Sequence, residues 1–444
     1  MSIVSPDLIH RFAQDFRNDP HNKIMQRAII RSGIRDVAIN NQPVIEMQYT
    51  FSHEIETGKI TAQKASGRCW LFAGLNTLRL AVMRKLNLDT FEFSQNYSMF
   101  WDKLEKANYF LESILDTVEE EVDSRLVMWL LGAPVNDGGQ WDMFVNLLEK
   151  YGAVPKHVMP ETYQSSNTGV MNYVLTVKLR EDAARLREGF RLGRSMDALR
   201  AMKEEMLGEI YRILCRCLGE PPQRFDFEYR DKDKNFYRDA NLTPQEFLHK
   251  YVDVKLDDYV SIINAPTADK PYGKTYTVQY LGNVKGGRDV LYLNVDIQTL
   301  KAAALAQLMD NEPVWFGCDV GKMMDRDTGI MDLRMFDYSG ALDVQFGLNK
   351  AERLDYRESA MTHAMVFTGV NVVDGKPVRW KVENSWGTDP GNQGFFIMSD
   401  AWFDEYLYQV VVNKKYLSAE LQVALEQKPI ELKPWDPMGS LASE

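Results

Sequence analysis

Residues 63–80 read QKASGRCWLFAGLNTLRL. The spacing of Leu71, Leu75, Leu78 and Val82 predicts a helix that begins just after the flexible Gly67, which sets Cys69 in its first turn. Unpaired amide donors and the positive end of the helix dipole favour the thiolate over the thiol at such a place. A free cysteine titrates near about 8.5, and this setting together with a cationic histidine lowers that by several units. Taken alone, Cys69 also reads as a small buried apolar residue. Two distant segments favour the nucleophile.

Thr362-His363-Ala364-Met365 opens the run MVFTGVNVV, whose β-branched and aromatic content predicts a strand. Asp374-Gly375 supplies a turn and VRWKVENSW the returning strand, so the pair forms a hairpin. Pairing outward from the turn brings His363 opposite the region of Asn384 to Trp386. A cross-strand neighbour lies about 5 Å away, close enough for the Asn384 side-chain oxygen to orient a ring N–H of His363. Cysteine, histidine and asparagine then acquire roles. His363 takes the proton of Cys69 and returns it to the leaving amine, while Asn384 fixes the tautomer of the imidazole. Trp386 either shields that hydrogen bond from water, strengthening it, or is an ordinary core indole. Gln63, six residues before Cys69, can donate its side-chain amide toward a developing oxyanion beside the Cys69 backbone N–H.

The order Gln63, Cys69-Trp70, His363, Asn384-Ser385-Trp386-Gly387 resembles the papain-like cysteine peptidases. The narrower resemblance is to the bleomycin hydrolase and bacterial aminopeptidase C family. It rests on SGRCWLFAGLN in place of the secreted enzymes' CGSCW pattern, on SQNYSMFWDKLEKANYFLE at 94–112, on Asn136-Asp137-Gly138-Gly139-Gln140-Trp141, and on Trp435-Asp436-Pro437-Met438-Gly439. The resemblance implies an α+β, papain-like two-lobe fold: a helical lobe plus a β-barrel-like lobe, with a large mainly helical insertion and a C-terminal arm. It also implies cysteine aminopeptidase activity on peptides with a free N-terminus, in a homohexameric ring whose active sites face an inner cavity.

Composition agrees with an intracellular version of such an enzyme. The 444 residues are 45% hydrophobic, which places the chain among globular proteins of two to four compact units. Its four cysteines are Cys69, Cys215, Cys217 and Cys318, and Ser66 stands where the secreted pattern has its first cysteine, so a reducing, cytoplasmic setting is expected. Cys215 and Cys217 fall on different faces of a predicted helix and read as packing residues. The start, MSIVSPDLIHRFAQDF, lacks the pattern of an export signal, and no run of about 18 apolar residues indicates a membrane span. Ser5, Pro6 and Asp7 open a helix with Leu8, Phe12 and Phe16 on one face. The nucleophile lies 68 residues in, which leaves no room for a long inhibitory segment, so another device is expected to restrain the peptidase.

A net charge of −11 and a pI near 5.3 argue against broad nucleic-acid binding. The six histidines form no metal-binding cluster and no phosphate loop is present. No metal, cofactor, nucleic-acid or membrane partner is expected.

Papain-like enzymes place histidine and asparagine about 130–150 residues after the cysteine, whereas His363 follows Cys69 by 294. About 150 extra residues therefore interrupt the scaffold. Between Tyr173 and Leu218, Leu199, Met202, Met206, Ile210 and Leu214 form a helical stripe, with Gly189 and Gly193 expected to break the segment into two helices. After Gly219-Glu220-Pro221-Pro222, FDFEY alternates as an edge strand and Thr243-Pro244-Gln245-Glu246 has the form of a capping box. From about Val290, LYLNVDIQTLKAAALAQLMDNEPVWFGCDV reads strand, amphipathic helix, turn, strand, opening the β-rich lobe. The expected division is 1–165, N-terminal segment and helical lobe with the nucleophile; 166–285, inserted region for oligomerisation; 286–430, β-rich lobe with His363 and Asn384; and 431–444, the arm.

The site is expected in the cleft between lobes. Gly138 and Gly139 would line its helical wall with accessible backbone for an extended substrate, or else form a tight turn with no ligand role. Lys433-Pro434-Trp435-Asp436-Pro437 is stiff and predicts an extended arm. The resemblance implies that this arm runs into the cleft and restricts cleavage to the first residue, with its carboxylate at Ala442 facing the substrate's amino group. Ser443 and Glu444 extend past that point. Self-trimming to Ala442 is expected, with a bulged arm or altered specificity as alternatives. The rival readings are an oligopeptidase or endopeptidase on the same scaffold, or a non-catalytic scaffold ring.

Overall fold

Apolar side chains surround the Cys69–Lys85 helix on nearly every side, and this decides how the molecule is layered. Trp70, Leu71, Phe72, Leu75, Leu78 and Val82 are all essentially inaccessible. A helix buried all round must have packed layers on both faces. In the computed structural model, which describes residues 3–442, one side meets the helices Gln95–Asp116 and Trp141–Tyr151, and the other lies on the strand His363–Val373. Each fully buried leucine or phenylalanine contributes about 1.5–3 kcal/mol through apolar area removed from water, so the helix is firmly seated.

The β-rich side is one twelve-stranded sheet among the described residues. Its centre runs Tyr259–Ile263, Leu407–Asn413, Val314–Cys318, His363–Val373, Lys376–Glu383 and Phe395–Ser399, in that spatial order. The strands around His363 are buried on both faces, consistent with the near-continuous apolar run from Ala364 to Val370. Asp374 and Gly375 turn the hairpin with φ of 50° and 76°, the positive values that a tight two-residue connection of this hand demands. The predicted succession after Val290 is present as Tyr292–Asn294, Ile297–Met309 and Val314–Cys318.

Helices Gly169–Arg191 and Met196–Leu218 pack on Gln95–Asp116 and share one apolar core with it. Only one of the two expected glycine breaks exists. Gly193, at φ 79°, separates the helices, and Ser195 caps the second through its hydroxyl. Gly189 instead lies inside the first helix, where a Cβ would stand 2.8 Å from the Leu199 side chain, so its small size permits close helix approach. Beyond Leu218, the strand Phe225–Arg230 pairs with Phe236–Leu242, and Thr243 and Glu246 form the reciprocal capping box that opens Pro244–Tyr251.

Ser5 caps the first helix, Pro6–Asn18, through Leu8 N–H. Neither this helix nor Pro20–Ser32 buries a single residue. Phe12 and Phe16 are 55% and 41% exposed, so the apolar face predicted from Leu8, Phe12 and Phe16 has no complete cover among the described residues.

Candidate active site

Cys69 is the first residue of its helix and is fully buried. The Arg68 carbonyl accepts from Leu71 and Phe72 N–H, which starts the helical ladder immediately behind the sulfur. The Arg68 side chain turns away to form a two-pronged pair with Glu161 at 3.1 and 2.8 Å, and its Nε donates to Ser66 Oγ at 2.9 Å. The Trp70 indole donates to the Asp137 carbonyl at 2.7 Å, fixing the helix start against the glycine segment that follows.

His363 and Asn384 meet as the hairpin register predicts. His363 Nε2 lies 2.9 Å from Asn384 Oδ1, with both residues buried. The same oxygen accepts the Ser385 backbone N–H at 2.8 Å, which holds it as an acceptor. The ring proton is therefore on Nε2, and Nδ1 is the nitrogen available for proton exchange. The Trp386 ring lies 4.9 Å from the imidazole, centroid to centroid, and covers the bond. Because strand His363–Val373 packs directly on helix Cys69–Lys85, the nucleophile and base candidates occupy facing elements.

Gln63 is stitched to the same corner. Its N–H donates to the Ser385 carbonyl at 2.7 Å, and Gly387 N–H donates to the Thr61 carbonyl at 3.1 Å. Ser385 Oγ donates to Gln63 Oε1 at 2.6 Å, so Nε2 is oriented toward the loop preceding Cys69, where it donates to the Ser66 carbonyl at 2.6 Å. A cavity of about 790 Å³ opens beside Gln63, Gly67 and Trp386.

Gly138 and Gly139 depart from the expected accessible wall, because both are buried. The Gly138 carbonyl accepts from Lys106 Nζ at 2.6 Å. Gly139 N–H donates to the Ala442 carbonyl at 3.2 Å in an antiparallel bridge, so the arm lies where an added strand was expected. Ala442 is fully buried, Gln140 Nε2 donates to the Ser440 carbonyl at 2.7 Å, and Ser440 Oγ donates to the Met361 carbonyl at 2.6 Å. Farther back, Arg125 lies 3.8 Å from the Trp435 ring centroid. Gly139 also has a steric reason to be glycine: a Cβ would come within 2.4 Å of the Trp70 ring. Ser443 and Glu444, on which the expectation of trimming rests, lie outside the described residues.

Sequence reading missed three supports of this site. Asp137 was noted only within a motif. Its carboxylate accepts from Gly67 N–H at 2.9 Å, Lys103 Nζ at 2.6 Å, Thr168 Oγ1 at 2.5 Å and Asn172 Nδ2 at 2.8 Å. Burial works to raise its pKa, but Lys103 and the hydrogen bonds prevail and hold it well below the usual carboxylate range. Arg79 and Glu383 form a buried ion pair at 2.7 Å between the Cys69 helix and the residue preceding Asn384. Ser385 orients Gln63. For Glu383, an acid in an apolar strand next to Asn384 was the available signal. For Asp137, its partners are scattered over more than one hundred positions and no local pattern announces them.

A model described as the Peptidase C1-like family matches residues 3–439. The chain is 52% identical over 434 residues to aminopeptidase C of Listeria monocytogenes, covering 98% of each chain. It is 45% identical over 451 residues to bleomycin hydrolase of Homo sapiens, covering 99% of each. Among solved structures, PepW from Lactobacillus rhamnosis HN001 superposes with a TM-score of 0.98 at 52% identity, over 99% of this chain and 100% of that one.

Proposed function

The chain belongs to the Peptidase C1-like family, and on that premise we propose that it is a cysteine aminopeptidase that removes N-terminal residues from peptides through a thioester on Cys69. His363 Nδ1 takes the thiol proton, and the sulfur attacks the first peptide carbonyl. The oxyanion that forms is met by the Cys69 backbone N–H and the Gln63 carboxamide, two donors fixed before charge develops. The tetrahedral intermediate collapses to a thioester as His363 protonates the departing amine. Water, deprotonated by His363, then attacks the thioester, and the returned proton regenerates the thiol. Asn384 holds the imidazole in the productive tautomer throughout, under the Trp386 ring.

The observation that carries the reading is the His363–Asn384 bond at 2.9 Å on a strand packed against the Cys69 helix. The restriction to N-termini is supported by the arm, whose Ala442 is paired with Gly139 and blocks extension of a substrate past that point. Trimming to Ala442 would leave a carboxylate there, and a substrate ammonium group facing it would select free over blocked N-termini. Peptides with free and acetylated N-termini test it: cleavage only of the free form, lost in Cys69→Ala, is expected. Equal turnover of both forms would replace the aminopeptidase with an oligopeptidase or endopeptidase.

We further propose a cytoplasmic hexamer, with residues 166–285 as the oligomerisation region between a helical lobe at 1–165 and a β-rich lobe at 286–430. The uncovered apolar faces at Phe12 and Phe16, and on the hairpin at Phe236 and Tyr237, favour burial against further copies. Cysteines that form no disulfide suit a reducing compartment. Light scattering that finds a clean monomer would remove the ring.

A further inference from the structure

The arm closes one end of the cleft, so a substrate held at Cys69 extends in the opposite direction, into the cavity beside Gln63 and Trp386. The walls of that cavity carry charge. Lys64, Arg35 and Arg326 face it together with Asp325 and Asp327. Asp325 is already committed, accepting from Thr328 N–H and Oγ1 and lying 3.6 Å from Arg35. Arg35 also donates to the Met324 carbonyl at 2.7 Å. Lys64 and Arg326 are different. Both are exposed, and neither takes part in an ion pair among the described residues. Lys64 projects from a backbone held at φ 56° next to Gln63, and Arg326 lies 5.0 Å from the Trp386 ring centroid. Asp327 opposes them from the rim, which leaves two uncommitted cations against one carboxylate.

Reach identifies what those cations meet. The Trp386 ring stands between His363, at 4.9 Å, and Arg326, at 5.0 Å, so the guanidinium is within about 10 Å of the imidazole. An extended chain advances about 3.3–3.6 Å per residue, so the α-carboxylate one or two residues beyond the scissile bond falls inside this range. Resting on the aminopeptidase reading above, we propose that Lys64 and Arg326 form a carboxylate-binding subsite on the leaving side of the cleft, which selects dipeptides and tripeptides by their free C-terminus. A longer substrate places an uncharged peptide bond at the same point and gains nothing from the two cations. Asp327 limits the attraction and adds repulsion toward substrates with acidic side chains at the first leaving position.

The test compares matched dipeptides and tripeptides ending in a free carboxylate or a carboxamide, with kcat/KM measured for each on the wild-type protein and on variants. A carboxylate preference of about five- to twentyfold is expected for two partly exposed cations. It should shrink toward parity in the Lys64→Gln/Arg326→Gln double variant and in about 0.5 M salt, which screens exposed charges. It should grow in Asp327→Asn. Because each ratio is taken within one protein, partial loss of folded enzyme cancels, and the salt series needs no variant. A wild-type ratio near one, or a ratio that ignores salt and both charge changes, overturns the subsite. An aminoacyl arylamide, which carries no carboxylate, separates the two readings. If it is cleaved while the ratio is near one, only the subsite fails, whereas a wild-type protein inert to arylamide and peptides alike overturns the aminopeptidase and the subsite together.

Discussion

Removing the guanidinium of Arg79 should unseat the active site from behind. Arg79 lies ten residues after Cys69, about 15 Å along the same helix, and its Nη2 meets Glu383 Oε1 at 2.7 Å with both side chains at most 2% exposed. Thr57 Oγ1 donates to the other carboxylate oxygen, and Arg79 Nη1 donates to the Lys59 carbonyl at 2.8 Å. Glu383 immediately precedes Asn384, so the pair ties the Cys69 helix to the strand end whose Asn384 is hydrogen-bonded to His363. In Arg79→Met the carboxylate is left buried without its counter-charge, which costs about 3–5 kcal/mol. Unfolding entropy of about 2.1 cal/mol/K per residue, over 444 residues, gives about 0.9 kcal/mol/K, so the thermal midpoint should fall by about 3–5 °C. Pairing Arg79→Met with Glu383→Gln removes the stranded charge while keeping an acceptor for Thr57, and should recover at least about half of the loss. The assay is thermal unfolding of the three variants at equal protein concentration, with kcat/KM on a free N-terminal peptide beside it. Activity in Arg79→Met should fall further than the midpoint explains, because a displacement of about 1 Å at the imidazole costs on the order of a hundredfold. A midpoint lowered by less than about 1 °C, or a double variant no better than Arg79→Met, would refute the strut.

Asp142 should make stability depend on pH. Burial raises its carboxyl to about 6, against an ordinary value of 3.8. A raised folded-state pKa means that the folded form holds the proton longer than the unfolded chain does, so the destabilisation it causes sets in above the ordinary carboxylate range, near 3.8, and is complete once pH has risen past about 6. Asp142→Asn keeps an acceptor for Leu291 N–H and should gain about 3 kcal/mol above pH 7 and about half of that at pH 5. A gain that does not change with pH contradicts this. Asp137→Asn strands the buried Lys103 and should lower the thermal midpoint by about 3–5 °C, and it should slow alkylation of Cys69 because Gly67 loses its anchor; unchanged alkylation kinetics would separate the clasp from the nucleophile. Gly139→Ala drives a methyl group into the Trp70 ring. It should cost about 1–3 kcal/mol and weaken pairing with Ala442, read as increased cleavage of acetylated peptides.

The parts of the fold that could be read from sequence were those in which neighbouring residues carry the signal. Leu71, Leu75, Leu78 and Val82 announce their helix because the period of 3.6 is local, and Asp374-Gly375 sets the register that joins His363 to Asn384 for the same reason. Gly189 failed as a break because a glycine inside a helix has two uses, ending it or letting another helix approach, and only the position of Leu199 distinguishes them. The accessible glycine wall failed because the covering segment arrives from some three hundred residues away. Long-range polar contacts leave no periodic trace, so Arg79 with Glu383 and Asp137 with Lys103 could be found only once the chain was folded.

The same contacts explain how the loop leading to the proposed nucleophile, Cys69, is held without a disulfide. None of the four cysteines forms a disulfide among the described residues, and Ser66 occupies the place where the secreted pattern would anchor a bridge. Here Ser66 Oγ donates to the Gln63 carbonyl at 2.6 Å, Gly67 is held by Asp137, and Arg68 is held by Glu161. Ala65 is paired with the segment entering the insertion, through Ser166 and Thr168. Four successive residues are thus each bound to a different neighbour. A single covalent link would fix one point of this loop, whereas the polar set fixes its path. That path aims both the Gln63 carboxamide and the Cys69 N–H, which must converge on one oxygen to be useful. It also makes the segment at Thr168 and Asn172 a structural partner of the loop before Cys69, because both share the Asp137 carboxylate with Gly67. Displacing the first turns of helix Gly169–Arg191 should therefore perturb acylation through Asp137 and Gly67. Thr168→Val, which deletes one hydrogen bond and no charge, isolates the effect: kcat should fall with KM little changed, while a fall in stability with kcat intact would mean that the clasp serves folding alone.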